Sequence, residues 1–217
     1  QMPDPTESQM DAGLHTAMAH CYALGITAVH TMEDQWTWQA WQRLLNQGDV
    51  KFRGVLTVPA SELEALLQIG LAGGFGHEYL RFGGLKIFVD GSLGSQTAWM
   101  LEPYANIPGV GVVVTGQEEL EVLVGKANQR GIPVFVHAIG DRANRVVLDT
   151  IAKVGDTRLR NRIEHAQLLH PDDIPRLASM NVTASMQPTH CPNDRDMGDL
   201  YWGERCASIY PFRSLLQ

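Results

Sequence analysis

The apolar positions of this chain change their period in a regular way. Leu14, Met18, Cys21 and Tyr22 recur at three- and four-residue steps, which predicts a helix over residues 8–24. Gly25 closes it, and Ile26 to His30 reads as a strand. Helical spacing returns over 35–47, where Trp38, Trp41, Leu44 and Leu45 form the apolar stripe, so the tryptophans read as packing residues. A strand, Phe52 to Val58, ends at Pro59, and Ser61 with Glu64 has the capping-box spacing for a helix over about 62–70. Further on, a helix over 117–130 is closed by Gly131 and followed by the strand Pro133 to His137. Val146, Val147, Thr150, Ile151 and Val154 mark the next helix. Arg162 to His165 is a strand, 171–180 a helix, and Val182 to Gln187 a last strand before Pro188.

One strand breaks the pattern of its neighbours. Gly83 to Ser92 is a short buried strand running into a glycine-rich loop, and it carries a lysine. Side chains alternate across a strand, so Leu85, Ile87 and Val89 share one face and Lys86, Phe88 and Asp90 the other. A buried unpaired ammonium is costly, so Lys86 either snorkels, pairs with a carboxylate or changes protonation state. After it, residues 91–116 form a long irregular stretch with Trp99, Tyr104 and Pro108, a length typical of lids and binding loops.

Six alternations of strand and helix argue for parallel β/α units. An open doubly wound sheet and a (β/α)8 barrel both fit. No G-x-G-x-x-G opens a helix after a strand, and Gly91-Ser92-Leu93-Gly94-Ser95 is not a P-loop, so the barrel is favoured, two units short of closure. The 217 residues are taken as a single domain, 1–217. A net charge of −7 without a basic stripe argues against nucleic acid as a partner, and no apolar run suits a membrane. Cys21, Cys191 and Cys206 form neither a disulfide framework nor a metal motif, which places the protein in the reducing cytoplasm. The opening Gln1-Met2-Pro3 and the ending Leu215-Leu216-Gln217, without a polar tail or helix stop, suggest a piece of a longer protein.

In barrels of this type working residues sit at the C-terminal ends of strands. Those ends here are His30, Lys86 with Asp90, His137, His165 and Gln187, with His190 just beyond. Alternation pairs Phe135 with His137 and Ile163 with His165, so each histidine is expected on the face that lines the barrel. A strand-end histidine is often structural, and two imidazoles do not define a metal site. Lys86 discriminates, because a neutral buried amine can react with carbon dioxide to give a carbamate, an anionic oxygen ligand able to bridge two metals that activate water.

These motifs carry a resemblance. Lys86-Ile87-Phe88-Val89-Asp90-Gly91-Ser92-Leu93-Gly94-Ser95 resembles the lysine strand of the metal-dependent amidohydrolase superfamily, in its amidohydrolase-3 branch (YtcJ-like proteins and N-substituted formamide deformylases). Val136 to Ala143 and Arg162 to Gln167 are similar to that branch's fifth- and sixth-strand motifs, and Ala184 to His190 to its seventh. The resemblance runs from about Leu14 to Phe212. It implies a metal-dependent hydrolase acting on an amide-like, non-peptide carbon–nitrogen bond of a small molecule, with one or two divalent ions, zinc being the expected metal. Lys86, as the carbamylated bridge, His137 and His165 would be ligands. Gln187, His190 and Asp90 would lie on the substrate side, and Asp141 either there or as a cap of the following helix.

Two departures from the family pattern are visible. No H-x-H occurs in the chain, although the family's first strand carries one, and the family's eighth-strand aspartate, its general base, would lie beyond Gln217. The chain therefore reads as strands two to seven of a barrel, without the family's β-sandwich domain. The alternative is a truncated, non-catalytic α/β barrel fragment without metal. Open strand edges lead us to expect a homo-oligomer, or an end segment covering those edges.

Overall fold

A computed structural model describes residues 4–217, so Gln1-Met2-Pro3 lie outside the described residues. The fold class is α/β, with helices following strands in successive β/α units, as in an incomplete (β/α)8 barrel. The chain divides into two compact units, the first ending at Leu85 and the second spanning Lys86–Gln217.

In the first unit α1 (Glu7–Ala23) starts at Thr6, whose hydroxyl accepts from the Gln9 N–H while the Gln9 side chain accepts from the Thr6 N–H. This reciprocal cap satisfies two donors that a helix start otherwise leaves open. β1 (Ala28–Thr31) runs parallel to β2 (Arg53–Pro59). Between them lies α2 (Gln35–Gln47), capped by the Asp34 carboxylate at its start and by left-handed Gly48 at its end. Met18, Trp41, Leu44, Val50, Phe52, Leu56 and Leu80 form the core of this unit. The tryptophans pack as expected: Trp41 is buried, and Trp38 donates its indole N–H to the Thr57 carbonyl while resting against Phe82.

Two local expectations are corrected. The helix after β2 begins as a 3-10 turn, Ala60–Glu62, and continues as α3 (Leu63–Ile69). No side chain caps it; the Ser61 hydroxyl instead meets the Glu62 carboxylate at 3.4 Å, so the capping box does not form. The lysine strand, β4, is longer than its pattern showed, Leu80–Phe88, because a two-residue strand, β3 (Gly76–His77), folds back antiparallel on its start.

The second unit takes in the end of β4, then β5 (Val134–Ala138), β6 (Arg162–His165) and β7 (Thr183–Ser185), with β5, β6 and β7 parallel in that order. α4 (Gln117–Gln129) and α5 (Asp141–Val154) follow β4 and β5. The helix after β6 is a 3-10 turn, Pro171–Asp173, leading into α6 (Ile174–Ser179). Beyond β7 three helical segments that the periodicity did not show complete the chain: α7 (His190–Trp202), the 3-10 segment Gly203–Ser208 and α8 (Phe212–Leu215). Trp202 of α7 enters a core with Leu93, Met100, Tyr104, Ile139 and Leu168.

At the start of β5 and β6 the polar groups are satisfied by two buried amides. Asn161 and Asn128 exchange hydrogen bonds at 3.1 and 3.0 Å, and Asn161 also accepts from the Val134 N–H at 3.0 Å. Asn128 accepts from the Asp156 N–H at 2.8 Å. This network ties α4 to the loop before β6 and leaves the other strand ends for chemistry.

Packing in the first unit makes one position intolerant of a methyl group. A Cβ on Gly54 would sit 2.9 to 3.0 Å from three ring atoms of buried Trp41. Gly54→Ala is therefore expected to destabilise the protein by about 1–3 kcal/mol through overpacking. Urea unfolding would show a lower midpoint with an unchanged slope.

Candidate functional site

The site is built on the ends of β4 to β7 in the second unit. Residues paired in a parallel ladder point to the same side of the sheet. Phe135 pairs with Arg162, His137 with Glu164, and Glu164 with Ser185. The contacts agree: the Arg162 guanidinium lies 4.6 Å over the Phe135 ring and donates to the Ser185 hydroxyl at 2.7 Å. Ile163 pairs with Val136 and Ala184 on the opposite side and is fully buried. Register also pairs Ala138 with His165, so Ile163 and His165 share one side as alternation expects, but it is the side opposite His137 and Glu164. His165 still reaches the site because its φ of +75°, followed by +44° at Ala166, ends the strand alternation and turns the imidazole back.

That turn brings two of the expected residues together. The His137 and His165 rings lie 4.8 Å apart, edge to face. Each has one nitrogen fixed by an acceptor. His137 Nε2 is 2.8 Å from the Gly91 carbonyl, so it carries the hydrogen and leaves the Nδ1 lone pair free. His165 Nδ1 is 2.8 Å from Gln187 Oε1, which is oriented by the Gln187 amide N–H donating to the Ser185 carbonyl at 3.2 Å. Here Nδ1 carries the hydrogen and Nε2 keeps its lone pair. Burial pushes His137 down to about 4, helped by nearby His165 and Lys86, and lowers His165 as well. Both are therefore neutral imidazoles at neutral pH.

Lys86 is 6% exposed, and its Nζ has no hydrogen bond or ion pair among the described residues. It rests 4.4 Å from the centre of the Phe88 ring, which in turn lies 5.2 Å from His137. Desolvation lowers the amine to about 8, against the pull of the Glu164 charge and with help from Arg162. Glu164 is itself buried and paired with Arg162 through contacts of 2.8 and 3.1 Å. Neither Arg162 nor Glu164 was singled out from the sequence, although their i, i+2 spacing on a strand was a readable sign that both face the same way.

Asp90 is buried, and its carboxylate accepts from three backbone N–H groups, Trp99 and Gly140 on Oδ2 at 2.9 and 2.8 Å and Ile139 on Oδ1 at 3.0 Å. Desolvation raises it to about 7 against these donors. Its place is inside the wall of the site, stapling the long loop to the turn after β5. Asp141 is the first residue of α5 and Gly140 its cap position, so Asp141 is not the helix cap. Its carboxylate accepts from Leu101 N–H at 2.7 Å and Arg142 N–H at 2.9 Å, a second clamp on the loop. Gly140 is required here, since a Cβ would lie 2.0 Å from the Trp99 carbonyl oxygen. His190 is exposed and stacks on His165 at 6.3 Å, with 13° between the rings. His30 belongs to the first unit, on β1.

Among the described residues no group of three His, Cys, Asp or Glu side chains is placed to hold a metal ion. The donor set is instead two neutral imidazoles with free lone pairs and an unpartnered amine. This set suits a divalent cation once the amine becomes an anionic oxygen ligand.

Comparison with known proteins identifies the family. The amidohydrolase family model, of the amidohydrolase-3 type, matches residues 1–217. Protein LONG AFTER FAR-RED 3 of Arabidopsis thaliana is 36% identical over 195 residues, covering 84% of this chain and 33% of its own length. YtcJ of Bacillus subtilis (strain 168) is 33% identical over 201 residues, covering 89% of this chain and 37% of its own. The crystal structure of an uncharacterized metal-dependent hydrolase from Pyrococcus furiosus superposes with a TM-score of 0.89 at 31% identity, covering 98% of this chain and 45% of that one. The chain thus spans about a third of the length of these two relatives. With the lysine strand, both histidine strands and the Gln187 strand inside the matched region, the chain belongs to the amidohydrolase family.

Proposed function

We propose that this chain carries the lysine and histidine ligands of a metal-dependent hydrolase that cleaves an amide-like, non-peptide carbon–nitrogen bond of a small molecule. The observation that carries this reading is the buried Lys86 amine, without a hydrogen bond or ion pair among the described residues, near two imidazoles whose lone pairs are kept free. Lys86, His137 and His165 would hold the metal, and zinc is one of the metals that imidazole donors suit. When bound, a divalent ion supplies the Lewis acidity that lowers the pKa of water and polarises a carbonyl.

The chain's own groups prepare that chemistry. Desolvation weakens the Lys86 ammonium, and the neutral amine can attack carbon dioxide, losing one N–H proton to give an N-carboxylate. The Gly91 carbonyl and Gln187 hold the hydrogens of His137 and His165 away from the ligand side. Asp90 and Asp141 keep the 91–116 loop against the turn after β5, so the wall beside His137 is rigid. His190, exposed and stacked on His165, is the side chain we assign to substrate contact. Three free cysteines suit the cytoplasm, and no helix among the described residues is long and apolar enough to cross a membrane.

Metal analysis of the purified protein tests the reading. We expect about one or two divalent ions per chain, as a mononuclear or two-metal site requires, and their loss in Lys86→Ala and His137→Ala. Full metal content in either variant overturns it, and a metal-free wild type supports the non-catalytic α/β module instead.

Lys86 also makes a stability prediction with a definite sign. Its folded pKa of about 8 lies below the unfolded 10.5, so the unfolded chain binds more protons between these values and metal-free stability rises with pH across that window. Lys86→Met is expected to raise metal-free stability at pH 7 by up to about 3 kcal/mol. That gain should shrink as pH approaches 10.5, the ordinary value for a lysine amine. A variant less stable than wild type at pH 7 in denaturant titrations would contradict the buried-amine account.

A further inference from the structure

Gln187 stands on the opposite side of His165 from the face that meets His137, and three observations define its place. The amide N–H donates to the Ser185 carbonyl, which fixes the direction of the side chain, and Oε1 then accepts from His165 Nδ1 at 2.8 Å. His165 has a left-handed backbone, φ +75°, that a β-strand residue does not hold without support from its surroundings. His190, the neighbouring ring, stacks face to face at 6.3 Å and forms no hydrogen bond with His165 among the described residues. The orientation of the imidazole therefore depends on Gln187.

We propose that Gln187 is a positioning residue, not a substrate contact: it selects the Nδ1–H tautomer of His165 and aims the Nε2 lone pair into the site. The proposal rests on the metal-binding reading given above. A freely rotating neutral imidazole divides its hydrogen between two nitrogens, and only one form offers Nε2 as a donor. An acceptor on Nδ1 also makes the opposite nitrogen a better ligand, which is how outer partners commonly tune metal-binding histidines. Gln187 can do this from β7 because the strand ends at Ser185, which frees the backbone of 186 and 187 to turn the amide toward β6.

The experiment uses the whole chain with 15N-labelled histidine at about pH 8, where both imidazoles are neutral. Ring nitrogen shifts and their couplings to carbon-bound protons report the tautomer of His165, and competition against a chelator reports Zn2+ affinity. Wild type should show Nδ1–H. Gln187→Leu, which keeps the volume and removes the acceptor, should lose that preference and bind Zn2+ about 10–100-fold more weakly. Gln187→Glu, which keeps an acceptor, should restore the tautomer and most of the affinity. Hydrogen on Nε2 in the wild type, or an unchanged tautomer in Gln187→Leu, overturns the proposal. A tautomer that responds as expected in a protein that binds no Zn2+ upholds the role of Gln187 and overturns the metal reading.

Discussion

Everything at the working end of the second unit depends on the Asp90 carboxylate. It sits just past the end of β4 and collects N–H groups from Trp99, Ile139 and Gly140. Two of these donors follow His137 in sequence and the third belongs to the long loop, so one side chain joins three segments. A buried carboxylate is expensive, and three backbone donors are the compensation that makes it tolerable. The consequence for His137 is partly direct, since Asp90 Oδ1 lies 3.5 Å from His137 Nε2, and partly indirect. By fixing the backbone on both sides, Asp90 sets the Gly91 carbonyl opposite His137 Nε2 and so decides which nitrogen of that ring is free. Asp141 on Leu101 N–H and Asn144 on the carbonyls of Ile139, Gly140 and Leu168 continue the same bracing.

Burial lowers the pKa of the Lys86 amine more than the surrounding charges raise it, and none of those charges pairs with it directly among the described residues. Glu164 is near enough to raise its pKa, yet that carboxylate is already shared with Arg162 through two hydrogen bonds. Desolvation and the guanidinium prevail, and the amine falls to about 8. An ordinary structural ion pair would have placed Lys86 directly on Glu164. A poised amine costs stability, a cost expected where function requires it and paid for by the dry core around it. Leu85, Ile87 and Val89, on the other face of the same stretch, are all almost completely buried.

Stability and chemistry lie at opposite ends of the second unit's strands. The Asn128–Asn161 network closes the start of β5 and β6 with a fully satisfied set of buried amides. At the far ends the groups are less paired: a lysine with no hydrogen bond or ion pair among the described residues, resting on the Phe88 ring, and two imidazoles with one nitrogen each left open. This division lets the ends vary their chemistry without weakening the sheet.

The alternation of strand and helix, the glycine stops and the packing of Trp38 and Trp41 on α2 were legible in the sequence because each follows from local periodicity or local backbone geometry. Lys86 was legible for the same reason, as a charge at a position that the strand pattern buries. Helix α7 was not, since Trp202 and Met197 are sorted into a core only by contact with Leu93, Met100 and Leu168, far away in sequence. That the His165 ring meets His137 was not deducible from alternation, because it depends on the positive φ of His165, a feature of the folded backbone that no side-chain pattern encodes. The chain by itself determined which chemical groups reach the ends of these strands. Only the tertiary structure decided which of them meet, since ladder register, one left-handed turn and the N–H groups gathered by Asp90 act between residues dozens of positions apart.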